Sequence, residues 1–176
     1  MHSGPKVSLQ QLLDCKEQRA FRQREWISIH SLPLISLSIN MVGNIKRNEL
    51  SSRAFHAGYK AIIDDCLSVD LPIVAVEKTV SATGYEALLA VNSSSYSDLK
   101  YAMVNIEDTH PLGRLLDIDV IDLNGKPISR DTLNLPRRRC FVCQQEAKIC
   151  ARNRSHSLHE LLNKMTEIIH ESYPNV

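Results

Sequence analysis

The sequence predicts an α+β fold in a single domain, residues 1–176, with a mixed sheet flanked by helices. Three observations support this. A chain of 176 residues suits one domain. Apolar residues recur at helical spacing near both ends of the chain. Between them lie short apolar runs bounded by glycine, proline and serine, which are typical of strands. With 43% hydrophobic residues, such a chain can bury a core without disulfides.

The first part of the chain predicts a helix, a strand and a second helix. Ser8 can cap a helix that runs towards Trp26, and its many arginine, glutamine and glutamate side chains are expected to form a solvated face. Residues 34–40 alternate in part and indicate a strand. Asn48 can cap the second helix.

The middle of the chain predicts a hairpin followed by a short helix and another strand. Residues 73–76 and 87–91 indicate two strands, and Ser81-Ala82-Thr83-Gly84 between them looks like a turn. Apolar residues at 99–106 fit one face of a helix. Residues 115–123 indicate a strand.

The last part of the chain predicts an irregular Arg/Cys-rich segment and a C-terminal helix. The segment covers about residues 126–156, and Leu158 to Ile169 gives an amphipathic helix. From Lys126 to Arg154 there are eight Lys or Arg against two acids. Just before it, from Glu107 to Asp122, five acids face one arginine. This order suits a site for a cation and phosphates, although local charge runs also occur on ordinary solvated surfaces.

The Asp-x-Asp strand is the most informative motif. Because side chains alternate along a strand, Asp117 and Asp119 should share one face, with Leu116 and Ile118 on the other face in the core. Two such carboxylates can hold Mg²⁺ together with substrate phosphates. Polymerase-β-type nucleotidyltransferases use this arrangement, so a nucleotidyltransferase-like fold is one candidate. Alternating aspartates also occur on plain surface strands.

Several neighbours could complete this site. Glu107 and Asp122 are both candidates for a third carboxylate. His110 could contact phosphate or act as a general base, although a lone histidine beside a turn is often structural. One guanidinium group can donate two parallel hydrogen bonds to phosphate oxygens. This suggests that the arginines that follow the strand bind the substrate: Arg130, Arg137, Arg138 and Arg139. A solvated basic loop, or a patch facing an acidic protein, is the alternative.

A second metal site is suggested by the spacing C-x2-C-x6-C-x5-H. Its residues are Cys140, Cys143, Cys150 and His156. Three thiolates and one imidazole could hold structural Zn²⁺ in a tetrahedron. The alternatives are reduced cysteines that pack a small loop, or redox chemistry at Cys140 and Cys143. Cys15 and Cys66 fall in predicted helices and are assigned to packing.

The residues from His110 to Val120 resemble the signature of the apo-citrate lyase phosphoribosyl-dephospho-CoA transferase family. The resemblance continues through Gly125, Ser129-Arg130, Pro136 to Cys140, Cys143, Ala147, Cys150-Ala151-Arg152 and His156. It is weaker at Ser81 to Gly84, Phe55 to Gly58, Glu17 to Arg19 and Arg22-Gln23. Leu116 departs from the family, which often has tryptophan there.

The resemblance implies transfer of phosphoribosyl-dephospho-CoA from triphosphoribosyl-dephospho-CoA to a serine of the citrate lyase acyl carrier protein, with release of pyrophosphate. On this view Asp117 and Asp119 hold Mg²⁺, Arg114 assists catalysis, and Gly113, His110 and the later arginines bind substrate. The carrier serine is the nucleophile, so no covalent enzyme intermediate is needed.

Two other functions compete with this one. A related transferase could act on another carrier, such as that of malonate decarboxylase. Alternatively, the basic cysteine segment could make the protein a non-enzymatic zinc-binding adaptor or a nucleic-acid module. Near-neutral net charge and 5% aromatic residues argue against nucleic-acid binding. No apolar signal core or membrane span is present in the sequence, so we expect a cytoplasmic protein with reduced cysteines.

Overall fold

The computed structural model describes residues 2–172 and confirms the α+β class. Within this range, helices and strands follow one another in this order: α1 (Leu9–His30), β1 (Leu34–Ile39), α2 (Glu49–Ser68), β2 (Ile73–Ser81), β3 (Gly84–Val91), α3 (Tyr96–Thr109), β4 (Leu116–Ile121), α4 (Ala147–Asn153) and α5 (Leu158–Ser172). A short 3-10 turn, Gly113–Leu115, leads into β4.

The chain divides into two compact units. The first ends at Ile128 and contains the sheet with α1, α2 and α3, and the second begins at Ser129 and contains α4 and α5. The assignment of all 176 residues to one domain stays a prediction.

Helices α1 and α2 begin where the sequence predicts. Ser8 and Asn48 cap α1 and α2, and each forms a reciprocal capping box with the residue three positions later. These bonds satisfy amide groups that would otherwise lack partners in the first turn. No helix within residues 2–172 has the length and apolar composition required to cross a membrane.

The four strands form one sheet in the order β2-β3-β1-β4. Every neighbouring pair is antiparallel, so the predicted mixed sheet is wrong in this detail. The reason lies in the hairpin. Helix α2 carries the chain from β1 to a strand of the same direction, β2, but the hairpin partner β3 inserts between them and separates the parallel pair.

The main core lies between the sheet and the helices α2 and α3. Leu116, Ile118 and Val120 of β4 point into it, as the alternation predicts. Gly58 of α2 packs directly on the fully buried Leu116, because a Cβ on Gly58 would lie 2.6 Å from a methyl of that leucine. Leu116 is therefore a packing residue. The opposite face of the sheet carries a smaller cluster with Trp26 and Ile27 of α1 against it.

Two boundaries differ from the sequence expectation. The hairpin is tighter than predicted, because β2 extends to Ser81 and β3 begins at Gly84, whose φ of 122° favours glycine. The segment predicted to be irregular contains α4, which follows an isolated antiparallel bridge between Arg139 and Glu146. Seven residues with one buried side chain, Cys150, give too weak an apolar pattern to recognise as a helix.

Candidate active site

Asp117 and Asp119 lie on the sheet face opposite the main core. Their strand, β4, is at the edge of the sheet and pairs with β1, where Ser38 stands opposite Asp117 and Ser36 opposite Asp119. Ser38 Oγ donates to Asp117 Oδ2 at 3.4 Å. The polar side chains of β1 and β4 on this face thus form a continuous hydrophilic surface on an otherwise apolar pair of strands.

The ionised form of Asp119 is disfavoured by its surroundings. Its side chain reaches solvent, yet desolvation by the surrounding protein raises its pKa, and repulsion from Asp117 raises it further. Lys100 and Arg19 oppose the shift but do not cancel it. A carboxylate that a neighbouring carboxylate repels is a favourable place for a cation, because a positive ion offsets the repulsion.

Helix α1 places arginines on the same sheet face. Arg19 donates to Glu86 Oε1 from Nε at 2.9 Å and from Nη2 at 2.5 Å. Arg22 reaches Glu86 Oε2 at 2.5 Å and also binds the side chains of Glu77 and Thr79. The expectation that the arginines of α1 form a solvated face is therefore wrong for Arg19 and Arg22, because carboxylates on the sheet attract them.

The Arg19–Arg22–Glu86 network is held by charge more than by apolar packing. None of the 22 residues of α1 is buried. Burial by itself would raise the pKa of Glu86, but the hydrogen bond and charge of Arg19 outweigh it and lower that pKa. Burial would likewise lower the pKa of Arg19, but its hydrogen bond to Glu86 and the charge of that glutamate reverse the sign, and the charge of Asp117 adds to the increase. Arg19 is thus a charged group within electrostatic reach of the aspartate pair.

Cys15 joins this network, so the assignment of its side chain to packing is incomplete. Its Sγ donates to Glu86 Oε1 at 3.2 Å and accepts from Thr83 Oγ1 at 3.1 Å. Cys66, in contrast, is fully buried in the main core, and burial followed by the charge of Asp65 raises its pKa to about 11. Cys66 is a packing residue, as predicted.

Sequence reasoning did not identify Arg19, Arg22 and Glu86 as site residues, although signals for them exist. Arg19 and Arg22 are three positions apart and so lie on one face of a helix. Glu86 is a charged residue at the start of an apolar strand, and a charge that becomes buried there needs a partner. The pairing itself joins residues 67 positions apart, which only the tertiary fold reveals.

The outer edge of β4 is closed by two buried charged residues of α3. Lys100 Nζ donates to the carbonyl oxygen of Ile118 at 2.9 Å, and Glu107 Oε1 accepts from the amide of the same residue at 3.0 Å. Lys100 and Glu107 are each 4% exposed. They satisfy the backbone groups that an edge strand leaves unpaired, at the residue between the two aspartates.

The two candidates for a third carboxylate have structural contacts in this geometry. Glu107 binds the backbone of β4, as described, and its charge also raises the pKa of Asp119. Asp122 accepts hydrogen bonds from the amides of Asn124 and Lys126, at 2.9 and 2.8 Å, and so stabilises the turn after β4.

The residues between α3 and β4 include three predicted substrate-site residues, and two of them have structural contacts. A Cβ on Gly113 would lie 2.4 Å from the carbonyl oxygen of Glu107, so only glycine fits against the end of α3. His110 Nδ1 accepts from the amide of Leu112 at 3.0 Å, and burial lowers the pKa of this imidazole. Arg114 lies in the 3-10 turn and is half-buried. Substrate contacts of Gly113, Arg114 and His110 remain predictions.

In the second unit, the predicted phosphate-binding arginines lie in a segment held by local polar contacts. Arg130 Nη1 donates to the carbonyl oxygen of Pro136 at 3.2 Å. Arg137 forms ion pairs with Asp131 at 3.0 Å and Glu146 at 3.3 Å. Arg138 and Arg139 follow directly and lead into Cys140. Their role in phosphate binding stays a prediction.

The structure brings the four predicted zinc ligands together. Each offers one ligand atom, and these atoms all lie within 4.8 Å of one another. We call these residues the Cys3His cluster: Cys140, Cys143, Cys150 and His156. The cluster could hold a metal ion.

The ion pairs of Glu86 should make the stability of the fold depend on pH. The pKa of Glu86 is lower in the folded protein than in the unfolded chain, where a glutamate has a pKa of about 4.3. The ionised carboxylate therefore stabilises the fold at pH values above about 4.3. This stabilisation is lost as the pH falls through the lower pKa of the folded state. Glu86→Gln is therefore expected to lower the free energy of unfolding by about 2–3 kcal/mol at pH 7 and by clearly less at pH 3. Urea denaturation at both pH values measures this.

The control for this prediction is Glu49→Gln. Glu49 pairs with Arg53 on an exposed part of α2, so its loss should change stability by less than ~0.5 kcal/mol at either pH. An equal loss for Glu86→Gln at both pH values would contradict the assigned ion pair.

Comparison with known proteins identifies the family of this chain. The family described as apo-citrate lyase phosphoribosyl-dephospho-CoA transferase matches residues 7–172. A protein of Vibrio cholerae serotype O1 (strain M66-2), named probable apo-citrate lyase phosphoribosyl-dephospho-CoA transferase, is 47% identical over 170 residues, which are 97% of this chain and 96% of that protein.

A transferase of the same name from Shigella boydii serotype 18 is 38% identical over 165 residues, which are 94% of this chain and 90% of that protein. One from Escherichia coli O157:H7 (strain EC4115 / EHEC) is similar to the same degree. The match extends across both units of the chain and includes the Asp-x-Asp strand and the Cys3His cluster. The chain belongs to the apo-citrate lyase phosphoribosyl-dephospho-CoA transferase family.

Proposed function

We propose that this protein transfers the phosphoribosyl-dephospho-CoA group from triphosphoribosyl-dephospho-CoA to a serine of the citrate lyase acyl carrier protein. The product is holo-citrate lyase, and pyrophosphate is released. The family match and the names of the relatives support the transferred group and the acceptor. The observation that carries the chemistry is the Asp117–Asp119 pair, which shares its sheet face with Arg19.

The reaction is a substitution at phosphorus of the kind that nucleotidyltransferases perform. The serine oxygen forms a bond to the α-phosphorus and its hydroxyl proton passes to solvent, while the bond from that phosphorus to the pyrophosphate oxygen breaks and pyrophosphate leaves. Such reactions need positioning and neutralisation of negative charge more than covalent participation by the protein. An exposed carboxylate pair beside an arginine suits this requirement.

Asp117 and Asp119 would hold Mg²⁺ in this proposal. Both are carboxylates on one side of one strand. Desolvation raises the pKa of Asp119, and repulsion from Asp117, which a cation would remove, raises it further. Oxygen ligands of this type suit magnesium, which when bound supplies charge neutralisation at the attacking and leaving oxygens. Ser38 would orient Asp117 through its hydrogen bond.

Arg19 would add a fixed positive charge near the reacting phosphate. Its bond to Glu86 fixes the guanidinium in place, and its charge acts on both aspartates. Arg114 would act from the 3-10 turn before β4. Binding of the remaining phosphates by Gly113, His110, Arg130 and Arg137 to Arg139 belongs to the proposal.

Intact-mass analysis tests this function. The apo acyl carrier protein of citrate lyase is incubated with this protein, triphosphoribosyl-dephospho-CoA and magnesium. The expected result is a mass gain of one phosphoribosyl-dephospho-CoA unit, absent when the carrier serine is replaced by alanine. No gain, with a carrier that a known transferase modifies under the same conditions, would overturn the proposal. A gain only on the malonate decarboxylase carrier would keep the chemistry and change the acceptor.

A further inference from the structure

The Cys3His cluster has the dimensions of a tetrahedral metal site. Its four ligand atoms lie within 4.8 Å of one another, and the thiols of Cys143 and Cys150 are 3.5 Å apart. All three cysteines are free thiols. A zinc ion with sulfur ligands at about 2.3 Å has tetrahedral edges of roughly 3.8 Å. The ligand atoms are therefore already near the separations that a bound ion requires.

His156 provides independent support. Its Nε2 is buried and has no hydrogen-bond partner. A buried polar atom without a partner is costly, and buried polar groups in folded proteins are nearly always satisfied. Bonding to a metal would satisfy this nitrogen. His156 is also the fourth member of the cluster, so one metal ion could satisfy this nitrogen and bind the three thiols.

The polypeptide around the cluster has few buried residues. Among the described residues from 129 to 157, only Cys140 and Cys150 are buried. A segment of this size rarely folds on so small an apolar core without a metal or disulfide. The bridge between Arg139 and Glu146, with the amide of Cys140 bonded to the carbonyl oxygen of Gln145 at 2.7 Å, presents the first two cysteines on one tight loop.

A backbone amide also contacts one of the ligand sulfurs. The amide of Val142 donates to Cys140 Sγ at 3.4 Å within this loop. An amide directed at a ligand sulfur is a contact that orients the sulfur and also suits the metal-bound form. Three thiolates with one divalent ion leave a net negative charge, and the surrounding segment is strongly basic, with Arg137, Arg138 and Arg139 directly before the first ligand.

We propose that the Cys3His cluster binds one structural Zn²⁺ ion, which holds the Arg/Cys-rich segment in its folded form. A ligand set of three sulfurs and one nitrogen selects zinc over magnesium or calcium, and four protein ligands leave no open position for a catalytic water. This site is separate in chemistry from the oxygen site at the aspartate pair. It goes beyond the transfer reaction and does not depend on it.

Metal analysis of the full chain tests the proposal. Protein purified with reductant and dialysed against metal-free buffer is expected to contain about one zinc per chain, measured by plasma mass spectrometry. Replacement by Co²⁺ should give the absorption of a tetrahedral cobalt–thiolate centre. Removing zinc with a strong chelator should increase hydrogen exchange in residues 140–156 and leave the sheet strands protected.

Matched variants locate the ion. Loss of a group that only orients a ligand costs about 10–100-fold in metal affinity, so His156→Gln and Cys143→Ser should weaken zinc binding by at least ~100-fold. His159→Gln and Cys15→Ser, which make the same changes outside the cluster, should bind zinc as the parent protein does. Because His156→Gln changes one partly buried side chain, a circular dichroism spectrum checks that this variant remains folded.

Two results would overturn the proposal. The first is a folded protein without zinc whose cluster thiols are free or joined in a disulfide, shown by thiol titration and peptide mapping under non-reducing conditions. The second is zinc binding that His156→Gln and Cys143→Ser leave unchanged, which would place the ion elsewhere. Neither result depends on whether the protein transfers a prosthetic group.

Discussion

Replacing Asp119 by asparagine is expected to abolish transfer to the carrier, with a loss of about 10³-fold or more, while the fold stays intact. The carboxylate is solvent-accessible, and asparagine has nearly the same shape, so packing does not change. The variant loses the carboxylate that would bind a cation, and with it the neutralisation of charge on the phosphates. In related reactions this neutralisation stabilises the transition state by several kcal/mol. The rate of mass gain on the carrier measures the effect.

The stability of the same variant separates a catalytic carboxylate from a structural one. Desolvation and the charge of Asp117 disfavour the ionised form of Asp119, so removing its charge should leave the melting temperature unchanged or slightly higher. A structural aspartate would show the opposite sign. The combination of lost activity with equal or greater stability is therefore the expected signature.

Asp64→Asn is the matched control for Asp119→Asn. Asp64 is exposed on α2, where it pairs with Lys60, and it lies outside the candidate site. This variant should transfer at the parent rate. If folded Asp119→Asn protein retained transfer within about tenfold of the parent, the metal-site hypothesis would be wrong and the reaction would need another charged group.

Local features of the fold were predictable from sequence because each depends on a few neighbouring residues. The caps at Ser8 and Asn48 are formed by side chains that reach the amides three positions later. The opposite faces of β4 follow from simple alternation, which separates Asp117 from Leu116 and Ile118.

The order of the strands was not predictable in the same way. Sequence periodicity gives the strands but not which of them become neighbours, and the insertion of β3 between β1 and β2 depends on long-range pairing. That insertion places Glu86 opposite Ser38, which itself stands opposite Asp117. The polar row across the three strands is a consequence of topology.

The charged residues show the same limit. The aspartate pair and the Cys3His spacing could be proposed from the sequence because the members of each set are close together along the chain. Arg19 and Lys100 look like ordinary surface residues, since α1 and α3 carry many polar side chains. Their roles appear only when the helices pack against the sheet and a glutamate or a backbone group needs a partner.

The second large effect is expected at the edge of β4, from Glu107→Leu. This change removes the acceptor of the Ile118 amide and leaves the buried ammonium of Lys100 with less negative charge near it. Removing one member of a buried charged set costs about 3–5 kcal/mol, because the remaining charge stays desolvated. For a chain of this length the melting temperature should fall by roughly 10 °C.

Three further variants decide what Glu107 does. Glu107→Gln keeps an oxygen for the Ile118 amide and should lose less stability than Glu107→Leu. Lys100→Met should be destabilising by itself, but the double variant Lys100→Met with Glu107→Leu should lose less than the sum of the two, since no unpaired charge remains buried. Strict additivity would contradict the shared role of these residues. If Glu107 were instead a third metal ligand, Glu107→Gln would abolish transfer at nearly unchanged stability, and the edge of β4 would belong to the catalytic site.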